Sequence, residues 1–294
     1  MNKAKVFSVI GGDIRFIRVA ERIAELGFKV LAAGLSEDLK ETETLKICSV
    51  EYAVKNSDYI ILPLPITTDN VYINAPDSAI KIPLEALFSN LNPKQIVLGG
   101  KVSESFSEKV VISGAAIEDY LEREDFAILN AIPTAEGAIA IAMQEMAKTI
   151  YQSRCLIAGY GRIGKILSKY LQALGADVVV GARKASDIVW AQANGHKAVH
   201  TDLILENGAN FDVIFNTVPH KIFDANKLFK IQKQTIIIDL ASKPGGVDFD
   251  VAKELGLKVI WALSLPGKVA PISAGDIIYD TIMTIISERR ANHE

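Results

Sequence analysis

Apolar residues at Ile163, Ile166, Leu167, Tyr170, Leu171 and Leu174 recur at steps of three and four, the spacing of one helix face. The run Leu156-Ile-Ala before them and Val178-Val-Val-Gly-Ala182 after them are short and continuous, so the pattern predicts strand, helix, strand. The same succession opens the chain, with Val9-Ile, a helix, and then Val30-Leu-Ala-Ala. An offset of 148 positions carries Gly11 onto Gly159, Gly27 onto Gly175 and Val30 onto Val178. Further strands are expected at 59–64, 95–98, around 110–112, 212–216, 235–240 and 258–262, with helices near 83–90 and 103–108. Pro133-Thr134 is expected to open an apolar helix over 135–150, with Thr134 as N-cap and Glu136 in the first turn. A last helix is expected over 273–290.

This alternation predicts an α/β protein of two Rossmann-like, doubly wound parallel-sheet domains flanking a cleft. Residues 1–133 form the expected substrate domain, 134–150 an interdomain helix, and 151–272 a dinucleotide domain, with 273–294 packing back on the first. Gly159-Tyr160-Gly161-Arg162-Ile163-Gly164 lies where a strand must turn sharply into a helix whose first N–H groups face a pyrophosphate. Gly159 makes the turn, Gly161 admits the phosphates and Gly164 lets helix pack on strand. The second strand ends in Ala182-Arg183-Lys184 rather than in an acid that would accept from a ribose 2′-hydroxyl, and Asp177 falls at its other end. Arg183, helped by Lys184, is therefore expected to pair with a 2′-phosphate, making the cofactor NADP. In the first half Asp13 and Phe16 take the second and third glycine positions, so that half is not expected to hold a dinucleotide and is assigned the substrate.

Composition removes several classes. The chain has 294 residues and a net charge of −3, with basic residues dispersed, which gives no basis for nucleic-acid binding. Charges interrupt every apolar stretch before the ~18 residues of a membrane span, and 6–10 is too short for a secretory core, so a cytoplasmic protein is expected. Cys48 and Cys155 fall in strand-like contexts without metal or disulfide spacing, so both are expected as buried thiols and no metal site is expected. The apolar fraction of 49% leaves room for a contact surface with a partner or in a homo-oligomer.

Loops after the strands are the expected seat of chemistry. Thr217-Val218-Pro219 should pass beside the nicotinamide ribose, while Ser242 and Lys243 offer a hydroxyl and a cation near the hydride. Gly11, Gly12 and Arg15 begin the substrate side, and Leu265-Pro-Gly-Lys268-Val-Ala-Pro271 is a fourth loop. His196, His200 and His293 are expected to be structural or exposed, whereas His220 follows the nicotinamide loop and is a candidate for proton transfer. Asp13 and Glu136 are acidic alternatives; Glu124 and Asp125 are expected as a solvated charge run.

The segments Val-Ile-Gly-Gly-Asp13-x-Arg15, Glu-Arg123-Glu-Asp125, Asn130-Ala-Ile-Pro-Thr134-Ala-Glu136-Gly, the Gly159 turn with Gly181-Ala-Arg183, Asp239-Leu-Ala-Ser-Lys-Pro-Gly-Gly246 and the Leu265 loop, in that order, resemble the A subunits of dipicolinate synthase. The resemblance covers nearly the whole chain. It implies a sporulation enzyme that oxidises a dihydro- or hydroxytetrahydrodipicolinate from lysine biosynthesis to dipicolinate with NADP+, together with a flavoprotein-like B subunit. Two ring carboxylates would then call on Arg15 and Lys243 as cations, with Ser242, Thr134 and the Gly11 and Gly12 amides as donors. Asp13, Glu136 and His220 remain open as the base. The alternatives are another NADP-dependent dehydrogenase of a small carboxylate and a non-catalytic NADP(H)-binding subunit.

Overall fold

The computed structural model describes residues 5–206 and 210–291, and His293 lies outside them. The chain divides into two compact units, Met1–Leu129 with Ala270–Glu294, and Asn130–Val269.

The first unit runs β1 (Val6–Ile10), α1 (Ile14–Glu25), β2 (Lys29–Ala33), β3 (Leu45–Ile47), α2 (Val50–Lys55), β4 (Tyr59–Ile61), a small antiparallel pair β5 (Tyr72–Ile73) and β6 (Ile82–Pro83), α3 (Leu84–Phe88), β7 (Ile96–Gly99), α4 (Glu104–Ile112) and β8 (Ala116–Asp119). Helix α5 (Glu124–Glu145) spans the boundary between the units. The second unit continues with β9 (Arg154–Ala158), α6 (Arg162–Ala173), β10 (Asp177–Ala182), α7 (Ala185–Ala193), β11 (Lys197–His200), β12 (Val213–Asn216), α8 (Ala225–Leu228), β13 (Ile236–Asp239), α9 (Phe249–Glu254), β14 (Lys258–Trp261) and α10 (Leu265–Val269). The last helix, α11 (Pro271–Ala291), rejoins the first unit.

Each unit has one six-stranded parallel sheet, ordered β3-β2-β1-β4-β7-β8 and β11-β10-β9-β12-β13-β14. The order is the same in both and reverses direction beside the first strand, which opens a crevice at the carboxyl ends. The 148-residue offset holds for three successive elements, whose first residues are Val6 and Arg154, Ile14 and Arg162, Lys29 and Asp177. Alternation along the strands feeds two apolar layers per sheet. Phe7 and Val9 point into one cluster and Ile10 into another; Cys155 and Ile157 separate likewise from Leu156 and Ala158. Helix α11 completes the first of these layers, burying Ile278, Ile282, Ile285 and Ile286 against Phe16, Val19 and Ile23 of α1. Arg18 and Arg22 each donate to Asp276 of α11 at 2.8 Å.

Several expected elements differ. Residues 110–112 end helix α4 rather than form a strand, because Phe106 and Val110, one turn apart, bury together while Val111 and Ile112 are exposed. Helix α5 begins ten residues before Thr134 and ends at Glu145, so Pro133 is internal to it and Thr134 is no cap. The Thr134 hydroxyl donates instead to the Asn130 carbonyl one turn back, at 2.8 Å. Glu136 accordingly sits mid-helix, exposed, and Glu124 and Asp125 occupy the first turn. The expected solvated run is also partly paired, since Arg123 donates to Asp125 and to Glu288 of α11. Residues 265–269 are helical, because Leu265 and Val269, one turn apart, pack against Gly137 of α5, where a side chain would stand 3.1 Å from Val269. By length and composition alone α5 would suffice to cross a membrane; its Ala135, Ala138, Ile139 and Ala142 lie in a buried layer of the second unit.

Candidate active site

The glycine turn of the second unit has the geometry that an anion requires. Gly159 sits at φ +103°, and a Cβ there would stand 2.2 Å from Thr217 Oγ1. At Gly164 a Cβ would stand 2.2 Å from the Gly159 carbonyl oxygen, so only hydrogen lets α6 approach β9 this closely. A Cβ on Gly161 would meet nothing within 4 Å. Gly161 is the N-cap of α6, supplies no side-chain cap, and is followed by a first turn without acids. The leading N–H groups of α6 thus face open space with the helix dipole behind them, a fit for a pyrophosphate. The corresponding turn of the first unit is closed. Asp13 Oδ1 accepts from the Arg15 backbone N–H at 3.1 Å, placing the chain's own carboxylate at the head of α1, and the buried Phe16 stands where Gly164 stands in the repeat.

A cavity of about 600 Å³ in the second unit is lined by Gly159, Tyr160, Gly161, Ala182, Arg183, Lys184, Val218, Pro219 and His220. Arg183 and Lys184 are exposed at the end of β10, and neither makes an ion pair among the described residues. Asp187 and Asp202 line the same cavity, Asp202 lying 3.4 Å from His200 Nδ1. Asp177, the first residue of β10, binds Lys197 at 2.8 Å at the other end of the strand. Tyr160 is buried, its ring edge-on to His196 at 6.3 Å. Burial holds His196 below the ordinary imidazole range, consistent with a structural role. Arg162 and Ile163 form the first turn of α6, Arg162 exposed and Ile163 against the core. Burial pushes the Cys155 thiol up to about 11, whereas Cys48 lies just past β3 and is only partly buried.

Ser242 and Lys243 are exposed in the loop after β13, followed by a cis peptide at Pro244. Two residues outside the expected set govern that loop. Asn216 and Asp239, opposite each other at the ends of β12 and β13, are both fully buried. Asn216 Nδ2 donates to Asp239 Oδ1 at 2.7 Å, the Ala241 N–H donates to Oδ1 at 3.0 Å and the Gly246 N–H to Oδ2 at 2.8 Å. Their sequence signal is a polar residue closing each of two apolar strands, with Asp239 also opening the Asp239-to-Gly246 segment. In the first unit, Arg15 Nε and Nη2 each donate to the Asp13 carboxylate at 2.8 Å, and Nη2 also donates to the Leu64 carbonyl. Nη1 makes no hydrogen bond among the described residues. Gly12 donates its N–H to the Asn74 carbonyl and Gly11 to that of Ala33, so neither amide is spare. The expected donors Thr134, Gly11 and Gly12 are therefore already engaged within the protein.

Two family models match the chain, one over each glycine turn. Residues 6–121 match the family model of the N-terminal domain of the dipicolinate synthase A subunit, and residues 133–255 that of the NAD-binding domain of D-isomer-specific 2-hydroxyacid dehydrogenases. The dipicolinate synthase A subunit of Bacillus subtilis is 32% identical over 97% of this chain and 96% of its own length. The crystal structure of the Bacillus subtilis protein superposes with a TM-score of 0.90 at 30% identity, covering 99% of each chain. That of the corresponding Bacillus halodurans protein gives 0.89 at 30% identity, covering 97% of this chain and 98% of the other. With an oxidoreductase-type nicotinamide dinucleotide domain following its own N-terminal domain, the chain belongs to the family of dipicolinate synthase A subunits.

Proposed function

We propose that this chain is the dehydrogenase subunit of a dipicolinate synthase, oxidising a dihydrodipicolinate, formed by loss of water from the 4-hydroxytetrahydro compound, to pyridine-2,6-dicarboxylate. One hydride passes to NADP+ and one proton to a base, which balances the step. The observation that carries the reading is the end of β10: two cations without acidic partners where an acid would mark NAD, in a chain of this family.

When bound, the dinucleotide supplies the hydride acceptor. Gly159, Gly161 and the head of α6 would hold its pyrophosphate, Arg183 and Lys184 its 2′-phosphate, and Thr217 to Pro219 would border its nicotinamide half. The first unit receives the substrate, because its own turn is filled by Asp13 and Phe16. In the first unit Arg15 Nη1 is a cation available to a carboxylate; in the second, the Lys243 ammonium and the Ser242 hydroxyl are exposed groups that would suit one. Asp13 is bidentate to Arg15, which weighs against it as the base and leaves exposed His220 and Glu136. A B subunit completes the complex, and the setting is the cytoplasm of a sporulating cell.

The test supplies freshly generated hydroxytetrahydrodipicolinate and NADP+ to the purified chain, with and without a B subunit, while dipicolinate and NADPH are followed together. Equal formation of both is the expected result. No turnover in either mixture, with NADP(H) still bound, would overturn the substrate assignment and favour a different small carboxylate or a binding-only subunit.

A further inference from the structure

Asn216 and Asp239 take part in none of the roles assigned above, yet their side chains bond each other and the loops after both β12 and β13. We propose that they form one positioning unit, setting the two loops that border the nicotinamide end of the dinucleotide and so the geometry in which the reactive ring meets substrate. This rests on the reading that the dinucleotide lies along the loops after β12 and β13.

Every partner of the Asp239 carboxylate is a donor, and they come from three places: Asn216, the start of the β13 loop at Ala241 and its far side at Gly246. One side chain thereby fixes both ends of the segment that carries Ser242 and Lys243. Asn216 turns the other way as well. Its Oδ1 accepts from the Val218 N–H at 3.2 Å and its Nδ2 donates to the Val218 carbonyl at 3.1 Å, locking the start of the loop after β12. Thr217 continues the chain of contacts, donating from both N–H and Oγ1 to the Ala158 carbonyl, beside the glycine turn. Gly246 is needed where these loops meet, since a Cβ there would stand 2.1 Å from Asn216 Nδ2 and 2.6 Å from the Val218 carbonyl oxygen.

An apolar pair at these two positions would fill the same space at no desolvation cost. It would leave the Ala241 and Gly246 N–H groups buried without acceptors and both loops free to settle elsewhere. What the polar pair adds is register, and displacements of about 1 Å are enough to cost a reaction two orders of magnitude. Neither side chain is exposed, so both act through the loops and not on substrate.

The experiment measures the affinity of the full chain, by calorimetry, for NADP+ and for adenosine 2′,5′-bisphosphate, which lacks the nicotinamide half. Asp239→Asn puts a donor against at least one of the three N–H groups whichever way the amide turns. The expected result is an NADP+ dissociation constant about tenfold weaker, an unchanged bisphosphate constant, and a kcat reduced with little change in substrate KM. Asn216→Ala should give the same signature and decides the matter if Asp239→Asn does not fold. An unchanged NADP+ constant, or equal loss of both ligands, would overturn the proposal by showing no role or only a general structural one. A wild-type preference for NAD+ would refute the 2′-phosphate reading alone, and the same comparison would then be made with NAD+ and ADP.

Discussion

Gly161 and Gly164 lie three residues apart in one turn, and the structure predicts opposite consequences for the same mutation. Gly161→Ala places a methyl group in open space, at a residue with φ −80° that any amino acid adopts. Stability should stay within about 0.5 kcal/mol of wild type, as for an exposed substitution. The methyl would occupy the approach of the pyrophosphate to the head of α6, where one or two charge-assisted hydrogen bonds of about 1.5–3 kcal/mol each are made. Losing about 3 kcal/mol weakens the dissociation constant roughly 100-fold. Gly164→Ala differs because its Cβ would stand 2.2 Å from the Gly159 oxygen, so α6 must withdraw by about 1.2 Å to restore an ordinary contact of 3.4 Å. That overpacking should cost about 1–3 kcal/mol of stability in addition to binding. Thermal melts without ligand and calorimetry with NADP+ separate the two variants. A Gly161→Ala protein that melts as wild type and binds NADP+ as wild type would refute the placement of the pyrophosphate at α6.

Replacing Arg183 with Asp should weaken NADP(H) by at least tenfold and NAD(H) far less; equal losses would remove Arg183 from the 2′-phosphate. Acid should act on the first unit through Arg123, whose hydrogen bonds hold the Asp125 and Glu288 carboxyls below their ordinary values. A depressed native value contributes stability above the unfolded value and loses it as pH falls through the native one. Wild type should therefore lose more of its melting temperature than Arg123→Met between pH 4.5 and 3, and parallel curves would show that the cluster contributes nothing.

The glycine turn and the offset of 148 are legible because both rest on short-range rules, in which a φ value, a close approach and a helix period are written in adjacent residues. Where the outcome depends on partners distant in sequence, the pattern misleads. Pro133 has the look of a first helical residue, and only the packed helix on either side of it makes it an internal one. The run at 110–112 is apolar enough for a strand, but α4 needs only one face and leaves Ile112 in solvent. Arg15 reads as a free cation until the structure brings Asp13 round to meet both of its forks. Asn216 and Asp239 are ordinary polar residues at strand ends until the parallel pairing of β12 with β13 sets them side by side.

The return of α11 to the first unit gives the two units different histories during synthesis. Chains emerge N-terminal end first at about 5–20 residues per second, so residues 130–269 are all available before the helix that supplies Ile278, Ile282, Ile285 and Ile286 has been made. The second unit can fold around a complete sequence, while the first waits with the apolar face of α1 uncovered although its other 129 residues were made earlier. A protein released short of residue 270 would thus retain everything needed for the dinucleotide turn and lack a wall of the domain that precedes it in the chain. Its predicted burden is a first unit that exposes Phe16, Val19 and Ile23 of α1, so loss of α11 should lower the yield of folded protein.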